Sequence, residues 1–497
     1  MQNLLTSEQI KATDSYTVTA RSITSLDLME EASAAFVSEF EKEVPDKNIP
    51  VSIYCGTGNN GGDGLAVARM LNRNGYHNLS VKISRFSKQS TSDFNANLKR
   101  LKTTGVGISE ISNLSFGAED KSGVIIDALL GSGINRPIEG DLKNLVDHIN
   151  ALNTKVISID VPSGFPSEGL IDPGSTMIKA SLVISFQQPK INFFFPESAI
   201  NTGRFIAALI GLDAYIESLE SNWKLVTNED IQSILKPRTR FSHKGTYGHP
   251  LVIAGSETIM GAALLCADAC LHSGAGLTSA CIPKSGLTSL NSRSPEIMSL
   301  VRSKNIPVST FKKYTAIALG PAMGVNKEAA ELLLKVLASN TKPLVLDADA
   351  LTLLSKMPDA LNSLPAKSIL TPHMKEFDRM FGGHTNWWER VETARKKAAE
   401  LNIIILLKNQ YSFIVLPDGD VLINPTGNPA MAVGGMGDVL TGMIVSFLAQ
   451  EYSAEEAAIL GCYLHGKAGD ELRAEGMNSI PPGYLIKRLP YVIAHYS

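Results

Sequence analysis

The segment Tyr54-Cys-Gly-Thr-Gly-Asn-Asn-Gly-Gly-Asp-Gly64 joins the makings of an anion site to side chains that a plain turn does not need. Glycines let a backbone approach an anion closely, and a helix opening behind them adds free N–H groups and a favourable dipole. Asn59, Asn60 and Asp63 supply amide and carboxylate groups; the competing reading is a Gly/Asn turn with Asp63 capping the helix. Two β-branched runs end on an acid in the same way. Val124-Ile-Ile-Asp127 leads into Ala-Leu-Leu-Gly-Ser-Gly-Ile-Asn-Arg-Pro137, and Val156-Ile-Ser-Ile-Asp160 into Val-Pro-Ser-Gly164. An Asp closing a strand is commonly a structural cap. Gathered at one sheet edge, though, such groups offer oxygen ligands to a hard cation and a carboxylate able to move a proton.

The second half carries a different motif, Thr426-Gly-Asn-Pro-Ala-Met-Ala-Val-Gly-Gly-Met-Gly-Asp-Val-Leu-Thr-Gly442, whose Gly-Gly-Met-Gly-Asp segment precedes the apolar helical run Val439–Leu448. Backbone N–H groups of such a turn can steady phosphoryl oxygens as negative charge builds. Asp438 in a first helical turn can act as base toward a hydroxyl, as in phosphoryl transfer, or simply cap the helix. Further strand ends are Leu319-Gly-Pro-Ala-Met-Gly324, Leu346-Asp-Ala-Asp-Ala350 and Thr371-Pro-His-Met-Lys-Glu376, and Met260-Gly-Ala-Ala follows another. A lone His such as His373 is more often a structural hydrogen-bonding group than a catalyst.

Positioning these groups requires strands that end together. β-Branched runs alternate with helical patterns along the chain, the signature of an α/β protein with largely parallel sheets. Strands are expected at Val51–Tyr54, Val81–Ser84, Val124–Asp127, Val156–Asp160 and Leu182–Ser185. In the second half they are expected at Leu251–Ala254, Thr278–Ile282, Ala316–Leu319, Leu344–Asp347, Ser368–Thr371 and Ile403–Lys408. Asp213–Arg240 reads as a connection, with the boundary near Glu217–Asn222, giving domains 1–217 and 223–497.

A chain of 497 residues is too long for one ordinary core, and 44% hydrophobic with 19% charged residues is a globular composition. A net charge of −3 without a basic run argues against nucleic acid or anionic lipid as partner. No secretory signal and no uncharged stretch of ~20 apolar residues is seen, and the five scattered cysteines suit a reduced, cytoplasmic setting. Cys266 and Cys270, one helical turn apart in an apolar segment, read as buried core thiols.

On Asn-Asn-Gly-Gly-Asp-Gly, Asp-Ala-Leu-Leu-Gly-Ser-Gly and Ile-Asp-Val-Pro-Ser-Gly, residues 1–215 resemble the NAD(P)H-hydrate epimerase family. The resemblance implies a Rossmann-like three-layer sandwich in which Asn59, Asn60, Gly61, Gly62, Asp63 and Gly131, Ser132, Gly133, Ile134, Asn135, Arg136, Pro137 hold the hydrated cofactor. Asp160 would be the acid/base group, and Asn60, Asp127 and Ser163 would bind K⁺. Ser33, in Leu28-Met-Glu-Glu-Ala-Ser33, stands where the family has Gly, a departure expected to alter helix packing rather than chemistry. Residues 223–495 resemble the ADP/ATP-dependent NAD(P)H-hydrate dehydratases of the ribokinase-like fold, on His243-Lys-Gly…Gly248, Gly-Pro-Ala-Met-Gly, Asp-Ala-Asp-Ala, Thr-Pro-His…Glu and Gly-Gly-Met-Gly-Asp-Val-Leu-Thr-Gly. By that resemblance Ala262, Gly324, His373 and Asp438 contact the hydrate, with Asp438 catalytic. Lys408, Asn409, Gln410, Tyr411, Ser412 and Gly437 would bind the nucleotide, with Mg²⁺ offsetting its phosphate charge. Asn409 replaces a family Gly, which makes nucleotide affinity the property to watch. The implied activity is epimerisation of R and S hydrates of NADH and NADPH, then ADP-dependent dehydration of the S form to give AMP and phosphate. A homo-oligomer is expected, with a tetramer as the candidate. The rival readings are a small-molecule kinase in the second half and a non-catalytic binding module in the first.

Overall fold

The structure, a computed structural model, describes residues 1–86, 89–111, 123–133, 137–212 and 215–497, the side chain of Glu217 excepted. The chain forms two compact units, one of Asn3–Ser221 with Asn386–Trp388 and one of Met1–Gln2, Asn222–Thr385 and Glu389–Ser497.

The first unit is built on β1 (Val51–Cys55), β2 (Leu79–Ser84), β3 (Gly107–Ile111), β4 (Val124–Ala128), β5 (Lys155–Ile159), β6 (Leu182–Phe186) and β7 (Arg204–Ala208). They lie in the order β3-β2-β1-β4-β5-β6-β7, every pair parallel. β1 and β4 are buried at every position, as apolar runs covered on both faces must be. The order reverses between them, and ligands of open α/β sheets bind at the carboxyl ends beside such a reversal. Tyr54 pairs with Asp127 and Cys55 with Ala128, so both loops leave the sheet level with one another.

The Gly-rich segment differs from expectation. The helix does not open behind the glycines; it starts at Asn59 and runs to Arg73, so the motif forms its first turns. The glycines explain why. A Cβ on Gly61 would sit 1.9 Å from the Gly56 carbonyl oxygen, and one on Gly64 2.6 Å from the Ala128 Cβ. Their absence lets the helix start lie directly on the strand ends. Asp63 therefore sits inside the helix, and the cap position belongs to Gly58, which makes no side-chain cap bond. Ser33 is fully buried against this helix, its hydroxyl 3.5 Å from the Asp63 carbonyl oxygen, so the departure does lie in helix packing.

The second unit carries β8 (Trp223–Leu225), β9 (Pro250–Ile253), β10 (Ser279–Ile282), β11 (Met298–Val301), β12 (Ala316–Leu319), β13 (Leu344–Leu346), β14 (Ile369–Leu370), β15 (Ile404–Leu407), β16 (Ser412–Val415) and β17 (Val421–Asn424). These run β8-β17-β16-β15-β14-β13-β12-β9-β10-β11 in an eleven-stranded sheet whose last member, beside β8, is Gln2–Asn3. From β15 through β11 all neighbours are parallel; β16 pairs antiparallel with β15 and with β17. The helix Met436–Ala449 crosses the helix Gly261–His272 at Gly442, where a Cβ would meet the Cys266 carbonyl oxygen at 2.1 Å. Cys266 and Cys270 are fully buried there, and all five cysteines are free thiols.

Part of Asp213–Arg240, expected as a connection, is regular instead: β8 and a helix at Asn228–Ile234. Thr227 and Asp230 form a capping box there, and Ile231 is fully buried. Among the described residues no helix is long and apolar enough to cross a membrane.

Candidate active sites

In the first unit the ends of β1, β4, β5 and β6 surround a cavity of about 710 Å³. Asn59, Asn60, Asp63, Gly131, Ser132, Gly133 and Asp160 line it, as do Lys11, Asp14 and Lys190, which the sequence did not suggest. Gly61 and Gly62 do not; their missing side chains make room for Gly56 and for the Met29 thioether. Ile134, Asn135 and Arg136 lie outside the described residues, and Pro137 is exposed. The uncapped start of the helix at Asn59 contributes free N–H groups, which suit a phosphate.

Asp160 leaves β5 at a φ of 65°, a left-handed conformation that Asp tolerates better than bulky residues. Its Oδ1 accepts from the Phe186 backbone N–H at 3.0 Å and the Ser185 hydroxyl at 3.3 Å, and pairs with the Lys190 ammonium at 2.7 Å. Burial lifts the Asp14 carboxyl to about 6, reinforced by repulsion from Asp160 and opposed by Lys190. Burial pushes Asp63 up strongly as well, with Asp160, Asp14 and Asp93 adding to it.

Asp127 is fully buried and does not line the cavity. Oδ1 accepts from the Ser163 hydroxyl at 2.6 Å and the Leu129 N–H at 3.3 Å, and Oδ2 from the Ser158 hydroxyl at 2.8 Å and the Ser163 N–H at 2.9 Å. Burial raises its pKa, and these bonds pull the other way. It ties β4, β5 and the Val161–Gly164 turn together, which is the cap role, while the Ser163 hydroxyl also accepts from the Leu130 N–H at 2.8 Å. Asn60 donates to the Ile159 carbonyl at 3.0 Å, yet its side-chain oxygen is buried without a partner. Such an orphaned oxygen is an acceptor left open at the site.

In the second unit Asp438 lies in the first turn of the helix that starts at Met436, three residues earlier than the run Val439–Leu448 suggested. Gly435, at a φ of 95°, turns the chain into that helix and gives no side-chain cap. Burial lifts the Asp438 carboxyl to about 6; Asp347 adds to the rise and Lys408 opposes it. Lys408 donates to Asp347 Oδ1 at 2.8 Å and the Thr441 hydroxyl to Oδ2 at 2.7 Å. A Cβ on Gly437 would lie 3.4 Å from the Lys408 ammonium. Lys408, Gly437 and Asp438 thus belong to one cluster with Asp347 and Thr441. Ala348, next to Asp347, holds a φ of 50°, a strain worth about 1–3 kcal/mol of the sort kept at functional sites.

The other expected residues are placed differently. His373 caps the helix Met374–Phe381: its Nδ1 accepts from the Lys375 and Glu376 N–H groups, and its half-exposed ring faces Glu376 at 3.2 Å. Ala262 begins the helix behind β9, and the Gly324 N–H donates to Asp349 at 2.9 Å. Asn409, Gln410 and Tyr411 form the turn from β15 to β16, and Ser412 is the buried first residue of β16. Asn409 does not adopt a positive φ, so this turn needs no glycine there. Sequence reasoning also missed His465, whose ring hydrogen-bonds the Met436 backbone; burial pushes its pKa down to about 4.

Comparison with known proteins accounts for both halves. Residues 25–192 match the family model described as YjeF-related protein N-terminus, and residues 250–491 the one described as NAD(P)H-hydrate dehydratase. The chain is 32% identical to a bifunctional NAD(P)H-hydrate repair enzyme of Moorella thermoacetica, over 99% of this chain and 96% of that protein. It is 32% identical to the enzyme of the same name from Dictyoglomus turgidum, over 99% and 98%. A solved ribokinase-like superfamily protein from Enterococcus faecalis superimposes with a TM-score of 0.52 at 28% identity, covering 56% of this chain and 98% of that one. Two α/β units, the second ribokinase-like, and a full-length match at this identity lead to one assignment: the chain belongs to the bifunctional NAD(P)H-hydrate repair enzymes.

Proposed function

We propose that this chain repairs hydrated NADH and NADPH, epimerising the R and S hydrates at the cavity of the first unit and dehydrating the S form at the Asp438 cluster of the second. The domains would be 1–217 and 223–497. The observation that carries the reading is that each unit sets an acid with a carboxyl raised to about 6, and a lysine paired with a second acid, beside an uncapped helix start. Proton transfer near neutral pH wants such carboxyls, and phosphate wants such helix starts.

In the first unit Asn59, Asn60, Asp63, Gly131, Ser132 and Gly133 hold the substrate, Gly61 and Gly62 only leave room for the packing behind them, and Asp160 exchanges a proton at the hydrated ring. What fits K⁺ is the orphaned, buried Asn60 oxygen; the Asp127 carboxylate and the Ser163 hydroxyl are bonded to one another at 2.6 Å. K⁺ would supply a positive charge for the phosphates and fix the turns that carry them. In the second unit Ala262, Gly324, His373 and Asp438 contact the hydrate, and Lys408–Ser412 with Gly437 hold ADP. Asp438 takes the proton of the ring hydroxyl as its oxygen attacks the terminal phosphoryl group. AMP departs, and loss of phosphate with a ring proton restores the double bond, since phosphate leaves where hydroxide would not. Mg²⁺ would be held largely by the nucleotide phosphates and water, offsetting their charge.

Mixed R and S hydrate incubated with the chain, ADP and Mg²⁺ should return all of the reduced cofactor. Recovery of one epimer's share alone would remove the first unit from the reading, and no recovery would remove the second. Asp160→Asn should abolish exchange of epimers and leave dehydration of the S form intact.

A further inference from the structure

Asp14 stands in the cavity of the first unit with no established task. It lies on the helix Ser7–Ala20, which is firmly anchored: Thr6 and Gln9 form a capping box, the Ser7 N–H and hydroxyl bond Glu168, and Thr13 and Thr17 are fully buried. Ile10, Lys11 and Asp14 of this helix line the cavity opposite in sequence and element to Asp160, which comes from the end of β5. The environments of the two carboxyls differ. Asp160 receives three donors on Oδ1. Asp14 receives no hydrogen bond and makes no ion pair among the described residues, although it is close enough to feel both Asp160 and Lys190. A pair of carboxyls whose surroundings differ in this way divides naturally into an acid and a base.

We propose that Asp14 is a catalytic proton donor of epimerisation, protonating the ring hydroxyl that leaves while Asp160 accepts the proton of the water that replaces it. This rests on the epimerising site proposed above. The Asp14 proton passes to the hydroxyl oxygen, and the carbon–oxygen bond breaks with its electron pair, releasing water. The lone pair of the neighbouring ring nitrogen forms the carbon–nitrogen double bond of an iminium. Water adds to the other face of that carbon, the double-bond pair returns to nitrogen, and the added water loses a proton to Asp160. The site then holds ionised Asp14 and protonated Asp160. It is reset by a proton returning between them or by running the reverse reaction on the other epimer.

The groups facing Asp14 are Asp160, Lys190 and Asp63, with Lys11 on its own helix. An acid that must be protonated works below its pKa, so the wild-type rate should fall as pH rises through about 6. The test follows exchange of each pure epimer of hydrated NADPH by the full chain without ADP, from about pH 5 to 8. Asp14→Asn should lower kcat by at least ~100-fold, the lower end of what a general acid contributes. KM should stay within about threefold, and the alkaline fall should vanish. A variant that loses rate through KM alone, or keeps the alkaline fall, overturns the assignment. Should Asn disturb folding, the fall is read in Asp14→Glu, where it must move; an unmoved fall in that folded variant also overturns it. Absence of exchange in the wild-type chain is a separate outcome, and it removes the site reading together with this one.

Discussion

Asp438→Asn should make the second unit inactive and more stable at once. The carboxyl stands at about 6 in the folded protein against an ordinary 3.8. At ~1.36 kcal/mol per pKa unit, that difference means the folded state penalises the charge by about 3 kcal/mol. Asp438 is partly accessible, so water screens some of this and the figure is a ceiling. No side-chain hydrogen bond of Asp438 is present among the described residues to be lost, and Asn preserves the shape. The sign follows from linkage. Below pH ~4 the carboxyl is protonated in both folded and unfolded chains, and the variant gains nothing. Between ~4 and ~6 only the unfolded chain ionises, so the gain grows, and above ~6 it is constant. Calorimetric melts of the full chain should show the second unit's transition raised by up to about 6–12 °C near pH 7.5, from ~2–4 °C per kcal/mol in a domain of this size. The rise should shrink toward zero near pH 4, while dehydration is lost throughout. A variant no more stable at pH 7.5, or a gain independent of pH, would refute the electrostatic account of this site.

Lys408→Met should cost about 3–5 kcal/mol by leaving the buried Asp347 without its cation. Lys408 also holds the Asp438 carboxyl down. The pH–rate profile of any residual dehydration should therefore lose activity at a higher pH than the wild type does on acidification. Gly442→Ala drives a Cβ toward the Cys266 carbonyl. By melting, it should destabilise the second unit by at least about 1–3 kcal/mol, with epimer exchange unchanged. Gly61→Ala meets the Gly56 carbonyl in the same way, so epimer exchange should fall while dehydration persists.

The buried strands and the acids that end them were legible because parallel strands covered on both faces read as continuous apolar runs. β1, β4, β5, β6, β9, β12 and β15 lie where those runs predicted, within a residue or so at each end. The strands that escaped notice are edges, a hairpin, and β8, a short strand inside the stretch read as a connection. β3 and β11 are largely exposed and lack an apolar run. β16 and β17 flank Asp418-Gly419, a turn dipeptide that was available as a signal. Helix starts were misplaced in both motifs for one physical reason. Glycine is read as loop, yet here it is what lets Asn59 and Met436 begin helices against strand ends and neighbouring side chains. Lys190 and Asp14 were out of reach, because a lone polar residue on an ordinary helix or past a strand end carries no pattern until the fold brings it to an acid.

What the fold assembles twice is the same electrostatic arrangement. Lys190 pairs with Asp160 at 2.7 Å and leaves Asp14 at about 6; Lys408 pairs with Asp347 at 2.8 Å and leaves Asp438 at about 6. In each site the lysine spends its charge on one carboxylate, so the second feels burial and repulsion with only partial relief. Without the lysine two adjacent carboxylates would compete for ionisation; without the second acid a lysine would hold the working carboxyl fully ionised. A carboxyl near 6 is mostly ionised at neutral pH but loses little in taking or giving a proton, so it can serve as acid or base. Which it does is set by the substrate. On the proposed roles, a hydroxyl that departs as water takes a proton from Asp14, and one that attacks a phosphoryl group gives its proton to Asp438. The two reactions therefore should respond to pH in opposite senses around 6: epimer exchange fails on the alkaline side and dehydration on the acid side. Parallel pH dependences from one preparation would break this pairing of roles.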